Sequence, residues 1–192
     1  MNYPSRFSAL SQNLKGINLY LVGMMGSGKT QTAPYLAKEL GYRFIDIDQQ
    51  IEKATQRTIS EIFQSEGESI FRSFESEVLK EIGQRHSFVV ATGGGLVTSS
   101  INWGILHQGL SIWLDPGRNR LLKRLQLDTS KRPLLETKNP TIALDDLLKQ
   151  RESMYSKSDL HIKVEDESPE EVSLLILNQL KILIKNENFP DE

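Results

Sequence analysis

Five short apolar runs alternate with longer segments of helical periodicity, and this alternation constrains the fold more than any other feature of the chain. The runs have strand length and β-branched or aromatic content. They are Ile17–Val22, Arg43–Ile47, Phe88–Ala91, Leu110–Leu114 and Leu160–Val164. Strands that alternate with helices form parallel βαβ units. The pattern therefore predicts an α/β fold, with a five-stranded parallel sheet between helices and ligand sites in the loops after the strands.

Three segments carry helix signals. Thr30–Leu40 places apolar residues on one face and is followed by Gly41, a residue typical of helix ends. Ile59–Ile82 is amphipathic and is predicted to be helical. Ser168–Glu171 has the sequence of a capping box with proline at the first helical position. The helix it opens should bury the residues that repeat at helical spacing, which are Val172, Leu175, Ile176, Leu180 and Leu183.

Size and composition restrict the function classes. A chain of 192 residues with a net charge of −2 suits one domain and argues against a partner bound through bulk positive charge, so we expect no nucleic-acid partner. The absence of cysteine excludes disulfides, thiolate metal sites and cysteine nucleophiles. No run of 18 apolar residues occurs, so we expect no membrane partner. A monomer in the cytoplasm is the simplest expectation.

The two ends of the sequence are polar. We expect a disordered tail over residues 1–16, one domain over residues 17–185 and a second tail over residues 186–192. A short targeting segment at the N-terminus is the alternative interpretation, although such segments are usually longer and richer in arginine.

A glycine-rich loop follows the first predicted strand. Gly23–Thr30 reads G-x4-G-K-T, a Walker A loop, and a predicted helix follows it as the motif requires. Glycines let the backbone N–H groups turn toward phosphate oxygens, Lys29 can reach the β- and γ-phosphates, and the Thr30 hydroxyl can bind Mg²⁺. The nucleotide contacts should come from this loop and the next residue, that is from Gly26, Ser27, Gly28, Lys29, Thr30 and Gln31. The guanine motif N-K-x-D of GTPases does not occur in the sequence.

Two acids end the second predicted strand. In an extended chain Asp46 and Asp48 would point the same way, toward the edge of the sheet where phosphates lie. One could then serve the metal while the other accepts a proton from an attacking hydroxyl. A solvated turn is the alternative for such a pair, but a nearby phosphate loop favours chemistry.

Three consecutive glycines, Gly93, Gly94 and Gly95, follow the third predicted strand. Such a run costs backbone entropy and suits a place where a ligand approaches the backbone closely. A flexible turn is the alternative.

Together these motifs resemble the shikimate kinase family of P-loop proteins. The resemblance rests on the Walker A loop, Phe44–Asp48 with Ile51-Glu52, Glu66–Arg72, Ala91–Gly95 and Lys131–Leu135, and it covers about residues 17–184. It implies a three-layer P-loop kinase fold with a mobile lid at about residues 117–140 and a substrate-binding region at about residues 48–82. It also implies that ATP, with Mg²⁺, phosphorylates the 3-hydroxyl of shikimate on the route to chorismate and aromatic amino acids.

The resemblance also implies roles for individual residues. Asp48 would bind the shikimate hydroxyls and act as the base, and Asp46 would lie on the metal side. Arg72 and Arg151 would bind the substrate carboxylate, and the three glycines would line the same site. Arg132 would reach over the transferring phosphate, and Arg124 would stack on adenine. The proposed catalytic set is thus Lys29, Asp48 and Arg132.

Charge and motif details bear on these roles. Residues 117–140 hold seven basic and two acidic side chains, a net charge of +5 that suits a lid over phosphates. The family motif R-x-P-L-Y appears as Arg151–Tyr155 without its proline and leucine. The altered motif favours one alternative, a weakened homologue that binds nucleotide and regulates a partner. A kinase for another polyhydroxy acid, such as gluconate, is the second alternative.

Overall fold

The computed structural model describes residues 7–127, 133–135 and 137–188, and its centre is a parallel five-stranded sheet. The strands are β1 (Leu19–Val22), β2 (Arg43–Asp46), β3 (Phe88–Ala91), β4 (Leu110–Asp115) and β5 (Leu160–Lys163). Their order in the sheet is β2-β3-β1-β4-β5, and every pairing is parallel. The predicted fold class and all five predicted strands are confirmed.

Eight α-helices of the described residues surround the sheet. They are α1 (Ser8–Asn13), α2 (Lys29–Leu40), α3 (Ile47–Thr55), α4 (Ile59–Gly83), α5 (Ser100–Leu106), α6 (Gly117–Leu127), α7 (Pro140–Tyr155) and α8 (Pro169–Asn188). Short 3-10 helices lie at Leu96–Thr98 and Pro133–Leu135. The capping box before α8 forms as predicted, because the Glu171 amide donates to the Ser168 hydroxyl and the Ser168 amide donates to the Glu171 carboxylate.

Each face of the sheet has its own apolar core, because successive strand residues point to opposite faces. In β1, Leu19 and Leu21 pack with helices α1, α2 and α8, whereas Tyr20 and Val22 pack with helices α3 to α7. The predicted arrangement of three layers is confirmed.

The prediction of a disordered tail over residues 1–16 is wrong for the described part of that segment. Helix α1 lies there, and Phe7, Leu10 and Leu14 are buried in the core beneath α2 and α8. The Lys181 ammonium lies 4.2 Å from the centre of the Phe7 ring. Three apolar residues at this spacing among polar ones were the helix signal.

Two details of the predicted helices are also wrong. Helix α4 is kinked within Ile59–Ile82, because Gly67 has a φ of 80° and a ψ of 174°, which is not a helical conformation. In α8, Leu175 is exposed and Leu183 only partly buried, whereas Leu177, which was not predicted, is fully buried.

Candidate active site

The Walker A loop joins β1 to α2 and has the backbone that its glycines allow. Gly26 and Gly28 have φ values of 77° and 98°, and Gly28 is the N-cap of α2. The loop therefore turns directly into a helix N-terminus, where backbone N–H groups and the helix dipole favour an anion. The Lys29 ammonium lies inside the loop, where it donates to the carbonyl oxygens of Gly23 (2.7 Å) and Met24 (2.9 Å).

A cavity of about 650 Å³ opens beside this loop. Gln31 and Arg124 line it, and an Arg124 guanidinium nitrogen lies 3.3 Å from the carbonyl oxygen of Gly26. The structure thus gathers the six predicted loop residues, Gly26 to Gln31, and Arg124 around one cavity. We call it the nucleotide cavity.

The two acids after β2 lie at a helix N-terminus. Asp46 ends β2 and caps α3 by accepting from the Gln49 amide, while Asp48 lies in the first turn of α3. The expectation that both carboxylates share a side because the chain is extended is therefore wrong in its reason, although both do line the same cavity. Asp46 is 7% exposed and accepts a 2.7 Å hydrogen bond from the Thr30 hydroxyl.

A second cavity, of about 800 Å³, lies next to the first and is called the acceptor cavity below. Arg72 of α4, Arg151 of α7 and the three glycines after β3 line it. Arg151 is only 3% exposed, and one of its guanidinium nitrogens lies 3.9 Å from the sulfur of Met24. The altered Arg151–Tyr155 motif therefore still directs its arginine into this cavity.

The three glycines have steric reasons to lack a side chain. A Cβ at Gly93 would overlap a carboxylate oxygen of Glu75, and a Cβ at Gly95 would overlap the Arg72 guanidinium. At Gly94 the Cβ would lie 3.1 Å from the amide nitrogen of Met25 in the Walker A loop. The glycines let these groups pack directly against the backbone, and a freely flexible turn is not what the structure has.

Glu75 is a site residue that the sequence reasoning missed. It is fully buried in the acceptor cavity, and its carboxylate accepts a 2.5 Å hydrogen bond from Arg72, which also pairs with Glu68 at 2.7 Å. The signal was available, because Glu75 interrupts an apolar helical stripe formed by Phe71, Leu79 and Ile82. An acid on the buried face of a helix needs a partner, and here the partner is Arg72.

Two buried carboxyl groups of the site have raised pKa values. Burial, with the charge of Asp46, raises the pKa of Asp48 to about 6. Burial also raises the pKa of Glu75 to about 7, although the adjacent Arg72 guanidinium lowers it. One oxygen of each group, Oδ1 of Asp48 and Oε1 of Glu75, is buried and has no hydrogen-bond partner within the described part of the chain. Perturbed carboxyl groups in a cleft are typical of acid–base chemistry.

Part of the predicted lid is described. Pro133 and Leu134 line the acceptor cavity. Arg132, which the resemblance assigns to the transferring phosphate, lies outside the described residues.

The two cavities meet at Met25, Thr30, Asp48 and Gly94, which line both of them. Asp48 thus faces the phosphate loop on one side and the cavity of Arg72 and Arg151 on the other. Phosphate-binding backbone, a carboxylate and anion-binding arginines are the parts that phosphoryl transfer to a small anionic acceptor requires.

Comparison with known proteins agrees with this arrangement. The family model described as shikimate kinase matches residues 25–181. The chain belongs to the shikimate kinase family. It is 55% identical over 186 residues to a shikimate kinase of Prochlorococcus marinus, covering 96% of this chain and 98% of that protein. A shikimate kinase of a Synechococcus species is 52% identical over 178 residues, which is 93% of each chain.

Solved structures lead to the same family. The shikimate kinase of Acinetobacter baumannii, solved in complex with shikimate, superposes with a TM-score of 0.86 at 36% identity and covers 91% of this chain and 98% of its own. A gluconokinase of Sinorhizobium meliloti has a TM-score of 0.57 at 16% identity, which shows a shared fold alone. No helix among the described residues is long and apolar enough to cross a membrane.

Proposed function

We propose that this shikimate kinase family member transfers the γ-phosphoryl group of ATP to the 3-hydroxyl of shikimate, giving shikimate 3-phosphate and ADP. The observation that carries the proposal is the position of Asp48, which lines both the nucleotide cavity and the acceptor cavity. A hydroxyl bound beside this carboxylate would lie next to the phosphate loop.

Asp48 is the proton acceptor in this proposal. As the hydroxyl oxygen forms its bond to the γ-phosphorus, the bond from that phosphorus to the bridging oxygen of ADP breaks, and the hydroxyl proton passes to Asp48. A carboxylate must be ionised to do this, and a pKa of about 6 leaves most of it ionised near neutral pH.

Arg72 and Arg151 hold the acceptor carboxylate. Guanidinium groups bind planar carboxylates through two parallel hydrogen bonds, which fixes orientation as well as position. Both arginines line the acceptor cavity, and Glu75 anchors Arg72 there.

The donor set at Thr30 and Asp46 fits Mg²⁺. A hydroxyl and a carboxylate 2.7 Å apart are oxygen ligands, and Mg²⁺ in kinases is usually held by one or two such groups together with phosphate oxygens. The described residues contain no cluster of three or more His, Cys, Asp or Glu that could hold a metal by itself. When bound, Mg²⁺ would neutralise charge that develops on the phosphates.

The remaining proposed roles belong to basic residues, whose positive charge suits contact with the nucleotide phosphates. Lys29 would neutralise phosphate charge from within the Walker A loop and Arg124 would contact the nucleotide, whereas Arg132, which the resemblance assigns to the transferring phosphate, lies outside the described residues. Closure of the lid would exclude water, which would otherwise accept the phosphoryl group.

The test is ADP release by the purified protein with Mg·ATP and either shikimate, gluconate or no acceptor. We expect ADP release only in the mixture that contains shikimate as the acceptor. Release with gluconate instead would favour a kinase for another polyhydroxy acid. ATP binding without ADP release in any mixture would refute the proposal and favour a nucleotide-binding regulator.

A further inference from the structure

Tyr155, the last residue of α7, is buried and donates a hydrogen bond into the glycine loop. Its hydroxyl lies 2.5 Å from the carbonyl oxygen of Gly94, and its side chain is 1% exposed. It lies one helical turn after Arg151, so both side chains are on the same face of α7. Arg151 lines the acceptor cavity, and Tyr155 contacts the glycine loop that lines the same cavity.

Gly94 is the point at which the glycine loop presses on the Walker A loop. Its Cα lies so close to that loop that a Cβ would be 3.1 Å from the Met25 amide nitrogen and 3.6 Å from the Gly23 carbonyl oxygen. Gly94 also lines both cavities. The position of its backbone therefore affects how the acceptor cavity lies relative to the Walker A loop.

The Tyr155 ring is fixed from the side of β4. Trp113 stacks on it with ring centres 5.8 Å apart and an angle of 25° between the planes. Trp113 also stacks on His161, with ring centres 3.9 Å apart. Held in this way, the phenol cannot turn away from Gly94 without disturbing the packing of two strands.

The hydroxyl is a permanent donor. Burial raises the pKa of Tyr155 to about 12, so the proton stays on the oxygen throughout the working pH range. A buried carbonyl that loses its donor pays a desolvation cost and tends to shift toward another partner.

We infer that Tyr155 is a positioning residue for phosphoryl transfer, which holds Gly94 and thereby the register between the acceptor and the phosphate loop. The inference rests on the proposed function and extends it to a residue that lines neither the nucleotide cavity nor the acceptor cavity. A small misplacement of the reacting groups lowers the rate by about ten- to a hundred-fold.

The experiment compares Tyr155→Phe with Tyr20→Phe. Both phenylalanines keep the ring and remove one hydroxyl from a buried tyrosine. Tyr20 is also 1% exposed, and its hydroxyl contacts only the Asn18 amide, at 3.4 Å, among the hydrogen bonds described. We measure kcat/KM for shikimate and, without shikimate, the Kd for ATP, which also reports whether each variant is folded.

We expect Tyr155→Phe to lower kcat/KM for shikimate by about ten-fold, with the Kd for ATP within about two-fold of wild type. Tyr20→Phe should leave both quantities within about two-fold. A fall of less than about three-fold in Tyr155→Phe, or an equal loss of ATP affinity, would overturn the inference. Absence of shikimate turnover in the wild-type protein would instead refute the proposed function, and the inference with it.

Discussion

At the scale of single residues, the chemistry rests on Asp48 at the junction of the two cavities. Asp48→Asn keeps the shape of the side chain but removes its ability to accept the proton. We expect kcat to fall by about a hundred-fold or more while ATP still binds. Steady-state turnover and an ATP titration measure the two effects, and near-normal kcat would remove Asp48 from the mechanism.

Arg72 should act on the acceptor alone. Arg72→Ala removes the guanidinium from the acceptor cavity, so we expect the KM for shikimate to rise about ten-fold or more, with little change in ATP affinity. Arg43→Ala is the matched control, because Arg43 lies at the start of β2, over the Phe88 ring at 4.2 Å. If the two variants had the same KM for shikimate, Arg72 would serve only as the ion-pair partner of Glu75 and Glu68.

Glu75 predicts how stability depends on pH. Because its pKa is about 7 in the folded protein and near 4.5 when solvated, the folded state holds the proton more tightly. Its contribution to the free energy of unfolding is therefore complete below about pH 4.5 and is lost as the pH rises through about 7, by up to about 3 kcal/mol. Asp48, with its pKa of about 6, acts in the same direction.

Urea unfolding at pH 5 and pH 8 tests this prediction. The wild-type protein should lose stability between the two values, and Glu75→Gln, which cannot ionise, should lose less. Because Asp48 is present in both proteins, the loss of unfolding free energy between pH 5 and pH 8 should be smaller in Glu75→Gln but not zero. An equal loss of unfolding free energy in the two proteins would contradict the raised pKa of Glu75.

At the scale of secondary-structure elements, the break in α4 depends on Gly67. Its φ of 80° with a ψ of 174° is a backbone conformation almost confined to glycine. We expect Gly67→Ala to lower the free energy of unfolding by about 1–3 kcal/mol.

Gly104 is the control for Gly67. It lies within helix α5, and a Cβ there would meet nothing within 4 Å. Gly104→Ala should leave stability unchanged or raise it by up to about 1 kcal/mol, because alanine is the better helix former. Equal effects of the two variants on the free energy of unfolding in urea would show that the backbone conformation at position 67 does not require glycine.

Strands were easier to predict than helix breaks. The five strands could be predicted directly from the sequence, because buried parallel strands are short, apolar and flanked by turns. The break at Gly67 was missed because the apolar periodicity continues on both sides of a glycine that a helix tolerates at modest cost. The extended backbone predicted for Asp46–Asp48 was also wrong, because β2 ends at Asp46 and α3 begins at the next residue. A strand and a helix can meet in this way without a turn signal between them, and element boundaries are the least predictable part of a sequence.

Site residues were predictable where a motif fixes them in the sequence. Residues 25–30 of the Walker A loop, Asp46, Asp48, Arg72 and the three glycines line one or both of the two cavities, and the roles assigned to them stay predictions. Glu75 and Tyr155 were not predicted as site residues, because their partners, the Arg72 guanidinium and the Gly94 carbonyl, become visible only in the folded chain. Long-range pairs of this kind depend on topology, which local patterns do not contain.

At the scale of the whole molecule, α1 covers the face of the sheet opposite the acceptor cavity. Phe7 is 1% exposed in the core with α2 and α8. Phe7→Ala should lower the free energy of unfolding by about 3–5 kcal/mol, while the KM values for ATP and shikimate stay unchanged.

Ile182→Ala is the control on α8, because Ile182 is 53% exposed and should cost less than about 1 kcal/mol. Thermal or urea unfolding measures both variants. An unchanged stability of Phe7→Ala would mean that α1 does not hold the core together.

The most direct test of the whole account is to identify the product that accumulates with ADP. The purified protein is incubated with Mg·ATP and shikimate, and phosphorus NMR with mass spectrometry follows every phosphorus species. We predict shikimate phosphorylated on its 3-hydroxyl, equal in amount to ADP. ADP together with free inorganic phosphate and unchanged shikimate would contradict the account, because the phosphoryl group would then have gone to water.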